Sequence, residues 1–371
     1  MLGIGKLKKK IFLLKNSLQL SYEVFRQRDK YIYAESFYPE CARKNSKSIW
    51  YEQLRHVFKY GQINKQYFEY GIDRVGVNDD DFLDYRHYVM RRNKHNSPKP
   101  FDYLCLVKDK KAFAIFGKYY GFPIWDSIGI LHQGLVKDDK DVKYEIKSVL
   151  QKHQNIFVKP IDGGGGDGTY NIKCIEGQYY VNFKKVDIES LIETLKEISN
   201  KGSYLIQDIF IQNVALSALY DKSVNTLRVV TVNPQHSEKK EDVILVACIL
   251  RIGANGLVVD NHGKGGLEIA VDSEGKLVKY AYYRPGFGTR VERHPDSGIK
   301  FEGYQIPFYE DAIDLCIRFH TKLNKIHHIG WDIAFSEKGV YLFEANDSSG
   351  TKLQTFLGPL RKEYEKWLPE S

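Results

Sequence analysis

The sequence predicts an α+β fold with antiparallel sheets, and three observations carry that prediction. Short apolar runs rich in β-branched and aromatic residues recur at 155–159, 226–232, 242–252 and 330–335, bounded by turn residues. Two pairs of such runs are joined by brief Gly-containing connections and read as hairpins, whose strands run antiparallel. Helical periodicity is clear at 307–323, where Ala312, Leu315, Cys316, Phe319 and Leu323 form an apolar stripe and Pro307 takes a first-turn position.

In chain order, residues 1–100 read as mainly helical. Lys6, Lys8, Lys9, Lys10 and Lys15 are the densest basic cluster. Between them Leu7, Ile11, Leu14 and Leu18, with Phe12 beside them, recur at helical spacing. Such a helix can lie on an anionic membrane surface, or it can cap the domain with a solvated lysine face. Asn78 with Asp79, Asp80 and Asp81 predicts a helix start, and Asn96-Ser97-Pro98-Lys99-Pro100 a linker. A second unit, 101–205, holds a helix at 110–120, strands at 155–159 and 170–183, and a helix capped by Asp187 that runs to Ser199. A third, 206–371, holds strands at 226–232, 242–252 and 276–284, the helix at 307–323 and a last hairpin.

That hairpin carries the chemistry. Gly330-Trp331-Asp332-Ile333-Ala334-Phe335 and Val340-Tyr341-Leu342-Phe343-Glu344-Ala345-Asn346 place Asp332, Glu344 and Asn346 in otherwise apolar strands. Buried carboxylates need neutralising, and a hard cation with oxygen ligands, Mg²⁺ above all, does so. A three-residue loop of Glu337, Lys338 and Gly339 would set Asp332 opposite Glu344, with Asn346 on the same face; an even loop would need a compensating bulge. A second cluster precedes it. Lys159 ends a strand, and Asp162-Gly163-Gly164-Gly165-Gly166-Asp167-Gly168-Thr169 follows, leading into another strand. It lacks the features of a Walker loop or a dinucleotide fingerprint. It reads as a flexible hairpin tip or, beside Lys159 and the carboxylates, as a phosphate-covering flap. In Asn261-His262-Gly263-Lys264-Gly265-Gly266, His262 and Lys264 either meet an anion or belong to an ordinary connection. The same alternatives stand for Arg284, Arg290, Arg293 and His294. Adjacent His327 and His328 cannot face one way in a strand, which argues against a metal site there.

These residues resemble the ATP-grasp superfamily, in which two α+β lobes clamp ATP and Mg²⁺. The likeness spans about 109–355. It includes Asp109-Lys110, twelve residues ahead of Gly121-Phe122-Pro123. Ser223-Val224-Asn225-Thr226-Leu227-Arg228-Val229-Val230-Thr231, Asp260-Asn261 with Gly265-Gly266, and Gly330-Trp331-Asp332-Ile333 are most similar to its sugar-transfer-associated and capsule-biosynthesis branch. The resemblance implies that Lys110 and Lys159 hold ATP phosphates, with Gly163, Gly164, Gly165, Gly166 and Lys264 near them. It implies that Asp332, Glu344 and Asn346 bind Mg²⁺. It further implies that 204–209 is an inter-lobe linker, with Gln207, Asp208 and Ile209 offering backbone groups to adenine, and that Arg228 acts with Lys159 in catalysis by steadying a reactive intermediate. The D-Ala-D-Ala-type ligases carry another arginine two residues before the first metal carboxylate, where this chain has Gly330.

Composition sets the class. At 371 residues the chain can form two or three compact units. Five cysteines, at 41, 105, 174, 248 and 316, form no close metal pair, and their odd number argues against a disulfide framework, so a reducing cytoplasm is expected. No apolar run approaches a membrane span, and residues 1–20 are too charged for a secretory signal. The net charge of +8 suits acidic partners, but no nucleic-acid motif accompanies it. The expected function is an ATP-dependent carboxylate–amine ligase working through an acylphosphate. The resemblance implies a substrate class of amino acid and sugar acid, or a related cell-envelope precursor. The alternatives are a kinase on the same fold and a nucleotide-binding partner of glycosyltransferases with little turnover.

Overall fold

A computed structural model describes residues 15–95, 103–161, 168–347 and 351–368. The chain forms two compact units: Met1–His95 with Gly288–Arg290 and Ser349–Ser371, and Asn96–Phe287 with Val291–Ser348. The chain's last residues therefore belong with the N-terminal segment, not with the strands at 206–348 beside which the sequence reading put them.

The larger unit is built on two antiparallel sheets. One has eight strands in the order Lys143–Glu145, Leu135–Lys137, Gly129–His132, Tyr204–Asp208, Asn155–Pro160, Tyr170–Ile175, Gln178–Val181 and Lys184–Val186. Helices Ile146–Lys152 and Ile188–Lys201 close its core, where Ile146, Val149, Leu150, Leu191 and Leu195 meet Leu131, Ile156, Val158 and Ile206. The second helix starts where expected, because the Asp187 carboxylate accepts from the Ser190 amide at 2.7 Å. The segment expected as a linker is, over Tyr204–Asp208, a central strand paired on both sides. Leu205 and Ile206 are buried on alternate faces, which only a strand inside a sheet explains.

The second sheet has seven strands in the order Arg290–Val291, Ala281–Tyr283, Leu267–Ala270, Ile244–Ile252, Thr226–Val232, His328–Ser336 and Gly339–Asn346. Helix Tyr309–Lys322 lays Ala312, Leu315, Cys316 and Phe319 on Val229, Trp331 and Ile333. Helix Lys110–Tyr119 shares this core rather than that of the first sheet: the Phe113 and Phe319 rings stack at 5.5 Å, and Phe122 meets Phe319 at 4.3 Å. The strand expected over 276–284 is confined to Ala281–Tyr283.

In the smaller unit, helical residues 15–26 are followed by helices Arg28–Tyr31, Ser46–Tyr60 and Tyr85–His95, and by Gln354–Leu357 and Arg361–Trp367 from the other end of the chain. The Gln354 amide clasps the Leu83 backbone, donating to its carbonyl at 3.1 Å and accepting from its N–H at 2.7 Å. Asn78 does not begin a long helix. Asp79–Asp81 is a single 3₁₀ turn, because the Asp79 side chain is drawn inward to His56 Nδ1 at 3.0 Å.

Candidate nucleotide and metal site

Strand alternation builds the site. In Asn155–Pro160, Ile156 and Val158 point into the core, which leaves Phe157 and Lys159 to line a cleft of about 410 Å³ between the two sheets of the larger unit. Lys110 reaches the same cleft from the N-terminus of its helix, where the Asp109 carboxylate accepts from the Lys111 and Ala112 amides at 2.8 Å each. Trp125, Phe210 and Phe343 give an apolar wall, the Phe210 ring meeting those of Trp125 at 4.8 Å and Phe343 at 4.9 Å.

Burial pushes the Lys159 ammonium down to about 8; Glu344 opposes this and Lys110 adds to it. Lys110 Nζ lies 4.0 Å from a Glu344 oxygen. The two lysines thus share the charge of Glu344, which only partly offsets the burial of Lys159.

The final hairpin arrives at the expected pairing by another route. Its loop has two residues, not three: Ser336 pairs with Gly339 and Phe335 with Val340. A bulge at Phe343 then restores Asp332 opposite Glu344. Asn346 Nδ2 approaches Asp332 at 3.4 Å and Glu344 at 3.5 Å, so the structure brings the three side chains together. Burial raises the Glu344 pKa and the charge of Asp332 raises it further, with Lys159 and Lys110 only partly compensating. Burial acts on Asp332 in the same sense, but Arg228 and Arg251 outweigh it and hold that carboxyl below the usual range. Two adjacent carboxylates, joined by the Asn346 oxygen after a half-turn of its carboxamide, would form the hard donor set that Mg²⁺ takes, so the residue types present fit the ion.

Arg228 lies opposite Asp332 on the neighbouring strand and grips it with two bonds, Nε at 2.5 Å and Nη2 at 3.0 Å. Arg251, which the sequence reading missed, donates to the same carboxylate at 3.1 Å and faces Asp260 at 3.8 Å. Its signal was a lone charge in the otherwise apolar run Ile244–Ile252. Asp260 in turn accepts from the Thr226 amide at 3.1 Å.

Other expected residues are placed differently. Gln207, Asp208 and Ile209 line the cleft. Yet the Asp208 carbonyl accepts from Trp125 Nε1 at 3.1 Å and the Ile209 amide donates to the Asn155 carbonyl at 3.2 Å, so these two groups are engaged within the protein. Lys264 is not part of the lining. The Asn261 side chain accepts from the Gly263 amide at 2.7 Å, making a 3₁₀ turn that buries His262 beside Glu268, 3.4 Å away. Gly163, Gly164, Gly165 and Gly166 lie outside the described residues. Asn225 serves the fold: its amide donates to the Leu216 and Tyr220 carbonyls at 2.9 and 2.8 Å and accepts from the Gly253 N–H at 3.2 Å.

Comparison with known proteins adds a family. Residues 91–359 match the family described as sugar-transfer associated ATP-grasp. Solved structures similar to this chain include the ATP-grasp ligase PsnB complexed with minimal precursor, 15% identical with a TM-score of 0.35, covering 69% of this chain and 56% of that one. A D-alanine–D-alanine ligase from Bacillus anthracis is 12% identical with a TM-score of 0.36, covering 70% and 63%. An N5-carboxyaminoimidazole ribonucleotide synthetase is 8% identical with a TM-score of 0.37, covering 66% and 45%. The chain thus spans less than two thirds of the length of each. No match is found among curated proteins. The family match covers most of the chain, including both sheets and the cleft between them, and the protein belongs to the sugar-transfer associated ATP-grasp family.

Proposed function

We propose that the protein is an ATP-dependent carboxylate–amine ligase that uses ATP to convert a substrate carboxylate to an acylphosphate, which an amine then attacks to give an amide and phosphate. The observation that carries this reading is the convergence of Lys110 and Lys159 on the same cleft as Asp332 and Glu344, with Asn346 beside the two carboxylates. Phosphoryl transfer depends chiefly on positioning and charge neutralisation. Lys159 and Lys110 hold the phosphates, and the aromatic wall of Trp125, Phe210 and Phe343 takes the base. Asp332, Glu344 and Asn346 hold Mg²⁺, which supplies charge neutralisation at the phosphate oxygens. Arg251, fixed by Asp332, presents a cationic edge to the carboxylate being activated, and Arg228 holds Asp332 in place. The family's association with sugar transfer supports a sugar acid or related cell-envelope saccharide precursor as the carboxylate and an amino acid as the amine, as in capsule polysaccharide biosynthesis.

The test is ADP release with ATP, Mg²⁺ and a matrix of sugar acids and amino acids, followed by product mass. A ligase releases ADP only when a carboxylate and an amine are both present, and its product weighs their sum less one water. A product carrying phosphate and no new amide identifies a kinase; nucleotide binding without ADP release for any pair identifies a binding partner with little turnover.

A further inference from the structure

We propose that the N-terminal helix docks the protein on an anionic lipid surface through a face that the fold leaves bare. Within helical residues 15–26, Ser17 and Val24 are buried in the smaller unit, and Asn16 donates to the Gly61 carbonyl at 3.4 Å. These contacts fix the rotation of the helix. Leu18, Tyr22 and Phe25 are 56%, 66% and 62% exposed. At about 100° per residue these three fall within an arc of roughly 60°, about a quarter-turn or more from Ser17 and Val24. One face of the helix cannot serve both ends, so turning the bare stripe inward would pull Val24 out of its core. The apolar stripe is therefore not what packs the helix onto its unit.

The charges around the stripe select the occupant. Exposed Lys15 and Arg26 lie on one border of it, within about 80° of Leu18 by the same geometry. The one acid on this helix, Glu23, points elsewhere and takes hydrogen bonds from Gln27 at 3.4 Å and Tyr31 at 3.5 Å. Leu7, Ile11 and Leu14, with Lys6, Lys8, Lys9 and Lys10, lie outside the described residues. Aromatic and aliphatic side chains in a line, bordered by cations, are the chemistry of a helix lying in the headgroup region of an anionic bilayer. No helix among the described residues is long and apolar enough to cross a membrane, so the attachment is to the surface. On the proposed ligase reading, an enzyme held there would meet a saccharide carboxylate carried on lipid.

Flotation of the full chain with phosphatidylglycerol–phosphatidylcholine vesicles, against phosphatidylcholine alone, tests this. The intact protein should float with the anionic vesicles at low salt and be released as salt rises. The double variant Tyr22→Ser with Phe25→Ser should bind roughly tenfold or more weakly, with an unchanged melting temperature because both side chains are exposed. Lys15→Glu with Arg26→Glu should lose roughly fivefold or more per reversed charge. Failure of the intact protein to bind anionic vesicles at low salt overturns the proposal, as does equal binding by the aromatic variant. So does a concentration-dependent dimer that the aromatic variant abolishes, since the stripe would then be covered by a second copy of the chain.

Discussion

Lys159 occupies its place because strand alternation sends it into the cleft while its neighbour Val158 fills the core. With its ammonium lowered to about 8 by burial, the lysine is partly neutral just above that pH in the free protein, and phosphate should restore its charge. ATP binding above pH 8 should therefore take up protons, and affinity should fall as pH rises through that value. Calorimetry in two buffers of different ionisation enthalpy reads the uptake; Lys159→Ala should bind more weakly and show none. Arg251 makes a second residue-level prediction. It bridges Asp332 and Asp260, so Arg251→Met leaves two buried carboxylates short of a partner and should cost about 3 kcal/mol in denaturant unfolding. Asp332, Glu344, Asn346 and Lys159 were legible as candidates because charge stood inside apolar runs. Arg251 carried the same mark in Ile244–Ile252, but its meaning depends on a carboxylate 81 positions away in sequence that only strand pairing brings near.

The final hairpin shows what is legible of an element. Its strands and the facing of Asp332 and Glu344 followed from composition and period, whereas the loop length did not. Glu337 accepts from the Val214 amide at 2.7 Å, which holds a two-residue turn, and the bulge at Phe343 fits its ring against Phe210. Both causes are tertiary. The same limit turned Asn78–Asp81 from a helix start into a 3₁₀ turn, because Asp79 and Asp84 close on His56 at 3.0 and 3.2 Å. Burial alone would lower the His56 pKa, but the two carboxylates outweigh it and raise it. A group raised on folding contributes stability that is complete below its unfolded pKa of about 6.5 and is lost as pH climbs through the folded value. The smaller unit should therefore melt at a lower temperature at about pH 9 than at about pH 6, and His56→Gln should flatten that dependence. In the second sheet, Trp331 Nε1 donates to Thr231 Oγ1 at 2.7 Å, and Thr231 meets His320 Nδ1 at 2.7 Å. Thr231→Val strands two buried polar groups and should destabilise by about 1–3 kcal/mol, read by denaturant titration.

At the scale of the molecule, the α+β class and the paired antiparallel sheets were legible because each strand carried its own period. The return of the C-terminal residues to the N-terminal unit was not, since it rests on particular side chains: Gln354 on Leu83, and Arg361 on the Phe82 carbonyl at 2.7 Å. The packing of helix Lys110–Tyr119 with the second sheet escaped for the same reason, an aromatic stack with Phe319 two hundred residues on. These elements produce a cleft where Lys159 from one sheet and Lys110 from a helix face a carboxylate pair on the other sheet, and the proposed function requires that cleft to hold ATP with Mg²⁺. The measurement that tests it most directly is calorimetric titration with ATP, with and without Mg²⁺, of the natural protein and of Glu344→Gln. Mg²⁺ should tighten binding to the natural protein roughly tenfold or more and leave binding to Glu344→Gln unaffected. An equal gain from Mg²⁺ in both proteins would contradict it.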